Sequence, residues 1–258
     1  MRRPRNRTAV KHTLSQCPLL GVLAAAALSS APPQAIDRQP TVVVPGAVPG
    51  QPPSDALVLF DGSSAAQWVY RDGRPAQWPV VDGALVSKSG TGNIYSRRKF
   101  GSLQIHVEFA TPSMPNAHGQ ARANSGVYLQ GRYEIQILDS YNNPTYSNGS
   151  AGALYGQYAP LVNVSRPPTQ WQTYDIIFHA PKCGADRKIA TPGTVTVLYN
   201  GVLVQDNVTI RGRTTSSDDT DPCEDGPLML QDHYHPDVKE TFMQFRNIWV
   251  RPIPQAAQ

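Results

Sequence analysis

No acidic residue precedes Asp37, and only three cysteines, four methionines and four tryptophans occur in the 258 residues. No amphipathic helical period follows the first thirty or so positions, which argues against a bundle or coiled coil. No motif repeats with a period of about 20–50 residues, so a propeller or solenoid is not supported. No CxxC pair is present, which disfavours a zinc finger. The longest apolar run, Cys17–Leu28, is too short for a stable transmembrane anchor.

That run follows a basic opening, MRRPRNRTAVKH, and precedes the small residues Ser29, Ser30 and Ala31. The order describes a secretory signal peptide over 1–31. Arg2-Arg3 raises a twin-arginine route. Five of the 23 Lys and Arg and none of the 19 Asp and Glu lie in this leader, leaving 18 bases against 19 acids, a net of −1. The basic balance thus belongs to the leader. Nucleic acid and membrane insertion of the mature chain are not expected. The expected location is periplasmic or extracellular. Two cysteines remain after cleavage, Cys183 and Cys223, and an even count in an exported chain suggests one disulfide.

Residues 32–54 are rich in proline and read as a linker. The rest, 55–258, is enough for one domain. Strand signals recur at Leu57–Phe60, Gln67–Tyr70, Ala84–Lys88, Asn93–Ser96, Ser102–Ala110, Ser125–Gln130, Tyr133–Leu138, Gln172–His179, Gly193–Tyr199, Val202–Asp206, Leu228–Gln231 and Thr241–Arg251. Turn pairs such as Asp61-Gly62, Asp82-Gly83 and Asn200-Gly201 separate them. Short strands with frequent turns predict an all-β sandwich or barrel. Two long loops, Thr111–Ala123 and Tyr141–Pro168, stand out, since such loops usually do something. The second carries Tyr141, Tyr146, Tyr155 and Tyr158. These rings could stack on sugars or simply pin their own loop.

The stretch Asn124–Asp139 reads as a hairpin turning at Gly131-Arg132. Alternation sets Glu134 and Gln136 on one face, with Asn124 and Tyr128 on one face of the partner strand. Both strands turn an apolar side to a core and a polar side to a cleft.

Nine pieces in order resemble one family: Leu59-Phe60-Asp61-Gly62 with Trp68; Trp78 before Val81-Asp82-Gly83; Asn124-Ser125-Gly126; Tyr133 to Asp139; Gly152-Ala153-Leu154-Tyr155; Trp171; Asn200-Gly201; Gly226 to His233; and Phe245-Arg246-Asn247-Ile248. Together they resemble the 3-keto-disaccharide hydrolase domain family. Gln172 stands where the family usually has Asn. The resemblance implies a two-sheet, concanavalin-like jelly roll, laminarinase-like in outline, and a carbohydrate substrate, a glycoside oxidised at C3. Elimination from such a sugar needs a base, an acid and donors at the enolate oxygen. Glu134 is the first candidate acid/base, His233 the second, and Arg246 a candidate for the enolate. Asn124, Tyr128, Gln136, Asp139, Tyr155, Gln231, Asp232 and Asn247 are candidate substrate binders. The residues establish no cofactor; a divalent cation such as calcium is a candidate at Asp232-His233-Tyr234-His235, which also reads as an ordinary polar loop.

Each has a structural alternative. Glu134 could pair with Arg132 or Arg246, Asp139 could cap a turn, and Arg246 could sit in a cross-strand ion pair. The Glu134–Asp139 run also resembles the acidic strand of laminarinase-type endo-β-glucanases, Glu-x-Asp-x-x-Glu, with Gln136 replacing the middle acid. A non-catalytic carbohydrate-binding module is the third reading.

Overall fold

The computed structural model describes residues 39–233 and 242–254. The expected leader, residues 32–38 of the expected linker, and residues 234–241, with His235, lie outside the described residues. Among the described residues fifteen strands form in chain order. They are β1 Leu57–Phe60, β2 Trp68–Val69, β3 Val80–Val81, β4 Ala84–Val86, β5 Ile94–Phe100, β6 Leu103–Ala110, β7 Asn124–Leu129 and β8 Tyr133–Leu138. After the long loop come β9 Gln172–His179, β10 Lys182–Cys183, β11 Ile189–Thr191, β12 Thr194–Tyr199, β13 Val202–Thr209, β14 Gly226–Leu230 and β15 Gln244–Pro252. Among the described residues there is no α-helix. The fold is the two-sheet jelly-roll sandwich that the family resemblance implies.

One sheet of eight strands runs β13-β12-β9-β6-β15-β4-β3, with β1 pairing the later part of β15. The other runs β2-β5-β14-β7-β8. Alternation drives both. Ile105, Val107 and Phe109 of β6 point inward beside Tyr174, Ile176 and Phe178 of β9. Val127, Leu129, Ile135, Ile137 and Leu230 face them from the five-stranded sheet. Tyr133 meets Phe178 across the interface at 5.9 Å between ring centroids. Each such side chain contributes about 1.5–3 kcal/mol on burial, so the core fixes which faces turn outward.

Two turns follow their chemistry. Asn200 and Gly201 have φ of 51° and 79°, as a type I′ hairpin between β12 and β13 requires. The β7–β8 turn is one residue earlier than expected. Gln130 and Gly131 take the positive φ values, 54° and 69°, and Arg132 N donates to Leu129 O at 3.0 Å. Arg132 leaves the turn and is buried, donating to Gln130, Thr220 and the Glu224 carbonyl.

Two segments without regular structure shape the molecule. Gly152–Tyr155 lies along the free edge of β8. Gln136 N donates to Ala153 O, Gly152 N to Gln136 O, and Tyr155 N to Glu134 O, at 2.9–3.0 Å. This covers an edge otherwise open to pairing. The proline-rich segment also has a place: Gly50 O accepts from Asn247 Nδ2 at 2.8 Å and Trp249 Nε1 at 2.9 Å on the eight-stranded sheet. The Cys183–Cys223 disulfide ties β10 to the loop before β14.

Candidate functional site

Tyr95, Tyr128 and Met229 pack together on the outward face of the five-stranded sheet, apart from the main core. Next to them lies a cleft of about 160 Å³ lined by Asn124, Tyr128, Glu134, Gln136, Tyr155, Gln231 and His233. The alternation of β7 and β8 brings the first four together, since Tyr128 pairs with Glu134 and Gly126 with Gln136.

Glu134 is the chemical centre. It is 3% exposed and makes no ion pair among the described residues; Arg132 and Arg246 are both bound elsewhere. Burial pushes its carboxyl up to about 8, against a smaller downward pull from the Tyr128 hydroxyl. A Cβ on Gly126 would come within 2.5 Å of the Glu134 Oε1 position and 2.8 Å of the Tyr128 ring. Only glycine leaves that space. Thr214 Oγ1 accepts the Glu134 N–H at 3.0 Å, which holds this point of β8 against the 211–225 loop.

The surrounding groups are polar and ordered. Gln231 Nε2 donates to the Tyr128 hydroxyl at 3.0 Å. Gln120 accepts from Gln136 Nε2 at 3.1 Å and from Asn124 Nδ2 at 3.2 Å. Gln136 Oε1 and Gln231 Oε1 are buried without a partner. Those two oxygens are the outstanding hydrogen-bonding capacity of the cleft, since buried polar atoms are nearly always paired. Tyr155 and Tyr146 hydroxyls bond one another, and burial pushes the Tyr155 phenol up to about 12. The phenols of Tyr128 and Tyr155 are thus held neutral. His233 stands at the mouth.

Other expected residues lie elsewhere. Asp139 is buried at the end of β8, where it accepts from Arg122 and from Tyr141 N. Asp232 turns away to accept from Gly92 N at 2.9 Å. Arg246 and Asn247 are not brought to the cleft: they lie on β15, in the other sheet, and both bind Glu108 of β6. Arg246 also stacks on Trp171, 4.0 Å from the ring centroid. The alternation of β15 breaks there at a bulge against β6, with Asn247 at φ 45°. Of the loop tyrosines, Tyr146 and Tyr155 reach the cleft. Tyr158 instead lies under Arg211.

Sequence reasoning missed Gln120, Thr215 and Ser216, while it names Tyr146 only as a ring that could stack on sugar or pin its loop. None of them lies on a strand, so no period reports orientation; loop length was the signal for Gln120, and Thr215 and Ser216 had none. Among the described residues no three His, Cys, Asp or Glu side chains converge on a point. The candidate cation stretch, Asp232 to His235, lies partly outside the described residues. No helix among them is long and apolar enough to cross a membrane.

Residues 55–251 match the family described as the 3-keto-alpha-glucoside-1,2-lyase-like domain. A candidate glycosyl hydrolase from Parabacteroides distasonis is similar in structure at 40% identity and a TM-score of 0.78, covering 86% of this chain and 95% of that one. Two further candidate glycosyl hydrolases of that organism share the fold. One has 18% identity and a TM-score of 0.57 over 78% of this chain and 94% of that one. The other has 20% identity and a TM-score of 0.51 over 77% and 99%. No curated protein matches.

Proposed function

We propose, from the premise that the chain belongs to the 3-keto-alpha-glucoside-1,2-lyase-like family, that it cleaves glycosides carrying a ketone at C3 of the sugar. The general class, a hydrolase acting on carbohydrate, follows from the family and from its 40%-identical structural relative. The finer reading rests on one observation: a buried carboxyl, Glu134, without an ion-pair partner among the described residues, held near 8 inside a polar cleft.

The ketone makes the hydrogen on C2 acidic. Glu134 in its carboxylate form removes that proton, and the C–H electrons pass into an enolate at C3. The enolate collapses to a C1–C2 double bond, and the C1–O bond breaks. The leaving oxygen takes a proton from an acid at the cleft mouth, where His233 stands. Water then adds across the double bond at C1, and the net change is hydrolysis. A carboxylate whose basicity is raised by burial is a stronger base than one in water. The neutral phenols of Tyr128 and Tyr155 can donate to the developing enolate oxygen, the task first assigned to Arg246. Gln136 Oε1 and Gln231 Oε1 can accept sugar hydroxyls. No step is routed through a cation.

The endo-glucanase reading needs a second carboxyl roughly 5 Å from the first, and Asp139 is instead locked to Arg122 outside the cleft. The Cys183–Cys223 bridge suits an oxidising compartment, in keeping with the expected leader. The test is incubation with 3-ketotrehalose or a 3-keto-α-glucoside, reading free sugar released. Release supports the reaction. Cleavage of plain β-glucan without release from keto substrates overturns it, as does sugar binding without any turnover.

A further inference from the structure

The outward face of the five-stranded sheet holds a second, larger cavity of about 400 Å³. Its floor is Val69, Tyr95 and Pro227, and its rim carries Arg71, Lys99 and Asp218. We propose that it is a second saccharide subsite, for a sugar unit carried on the leaving group of the substrate cleaved at Glu134. The proposal rests on that reading of the Glu134 cleft.

Register places the two cavities on one line. Tyr95 pairs with Met229, Met229 with Tyr128, and Tyr128 with Glu134. The row crosses β5, β14, β7 and β8. Three strand spacings of about 4.8 Å put Tyr95 on the order of 14 Å from Glu134. That is farther than the neighbouring sugar and within reach of the next. One loop walls both cavities: Ser216 lines the cleft and Asp218 the second cavity. Asp218 is fixed between them. Its backbone N–H donates to Gly131 O at 3.0 Å, and its carboxyl accepts from Tyr95 and Arg71 at 3.3 Å each.

The lining selects the ligand class. The lining mixes basic Arg71, Arg97 and Lys99 with acidic Asp218, Glu224 and Asp225. A strongly charged ligand of either sign would meet like charge. A neutral polyol can use both kinds of group for its hydroxyls and set its apolar face on the floor.

The test uses the full chain with Glu134→Gln, so that nothing is consumed, and calorimetric titration with maltose, maltotriose and maltotetraose. The longer saccharides are expected to bind about tenfold tighter than maltose. Arg71→Ala with Lys99→Ala, both at exposed positions, should abolish that gain and leave maltose affinity unchanged. No gain with length, or a gain that survives the double substitution, overturns the subsite. Cleavage of a keto-disaccharide by the wild-type chain is measured separately. If cleavage fails while the gain behaves as expected, the reaction falls and the subsite stands; the opposite pattern removes the subsite alone.

Discussion

Two glutamates, one on each outward face of the sandwich, have opposite surroundings. Glu134 is buried in its cleft without an ion pair among the described residues. Glu108 accepts from Arg246 at 2.6 Å and Asn247 at 2.8 Å, with the His106 ring 3.7 Å away. Burial holds Glu134 at about 8. The His106 ring first, then Asn247 and Arg246, outweigh partial burial and hold Glu108 at about 2. His106 is itself held at about 9: burial alone would push it down, but Asp175 and Glu108 outweigh that. The back of the molecule is a paired charge cluster beside the docked Gly50 segment. The front keeps one carboxyl short of partners. Natural sites that give up stability in this way are usually where the chemistry is.

The largest expected effect is on Glu134. Its carboxyl is protonated in the folded chain up to about pH 8, against about 4.5 when unfolded. Ionisation therefore costs the fold on the order of 5 kcal/mol, accruing between those two values. Glu134→Gln removes that cost and the base together. Turnover of a keto-glucoside should fall by about 10²–10⁴, while the melting temperature at pH 9 rises above wild type. A variant that is inactive and less stable at pH 9 would break the comparison, since it would make Glu134 a structural residue like Glu108.

Glu108→Ala should do the reverse. It strips His106 and Arg246 of a partner and should destabilise the chain by about 2–3 kcal/mol, with kcat within twofold of wild type. Urea unfolding and keto-glucoside turnover read the two effects. A large loss of kcat at full stability would place the chemistry on the back face and overturn the division.

The contrast also explains what the sequence could reveal. Period-two alternation identified the β7–β8 hairpin and put Glu134, Gln136, Asn124 and Tyr128 on cleft-facing sides, because one strand pair needs no other part of the chain to set its faces. Arg246 and Asn247 went astray because alternation says which face of its own sheet a residue takes, never which sheet. β15 belongs to the eight-stranded sheet, so its outward face is across the sandwich from Glu134. The His106–Asp175 contact joins strands β6 and β9 far apart in sequence, and no local pattern carries it. Gln120, Thr215 and Ser216 arrive by loops whose paths are set by the core beneath them. The docking of Gly50 on Trp249 was hidden because proline-rich composition reports a stiff, extended chain and is silent on what that chain lies against.

pH separates the faces further. If Glu134 is the base, kcat/KM rises about tenfold per unit as pH increases toward about 8 and then levels. If it is the acid, activity falls across the same window. Stability moves differently. The raised pKa of His106 contributes fully below about 6.5 and is lost as pH rises through about 9. The depressed pKa of Glu108 contributes above about 4.5 and is lost as pH falls through about 2. With the Glu134 cost beginning near 4.5 and growing up to about 8, the melting temperature should peak near pH 4.5, well below the pH of greatest activity. Coincident optima would show that Glu134 is not the group limiting the rate.

The smallest effect is the sharpest on placement. Arg246→Lys keeps the positive charge beside Glu108 but loses the planar guanidinium that both donates to Glu108 and stacks on Trp171. Arg246 is about two-fifths exposed, so solvent screens the pair and the loss should be only about 1 kcal/mol. Keto-glucoside kcat and KM should stay unchanged. Were Arg246 the enolate's partner, as its place beside Phe245 and Asn247 in the family pattern suggests, the same substitution would lower kcat with little change in stability. A loss confined to stability leaves the neutral donors Tyr128 and Tyr155 as the groups that must meet the developing charge, and so ties the reaction to the one face where a carboxyl is left short of partners.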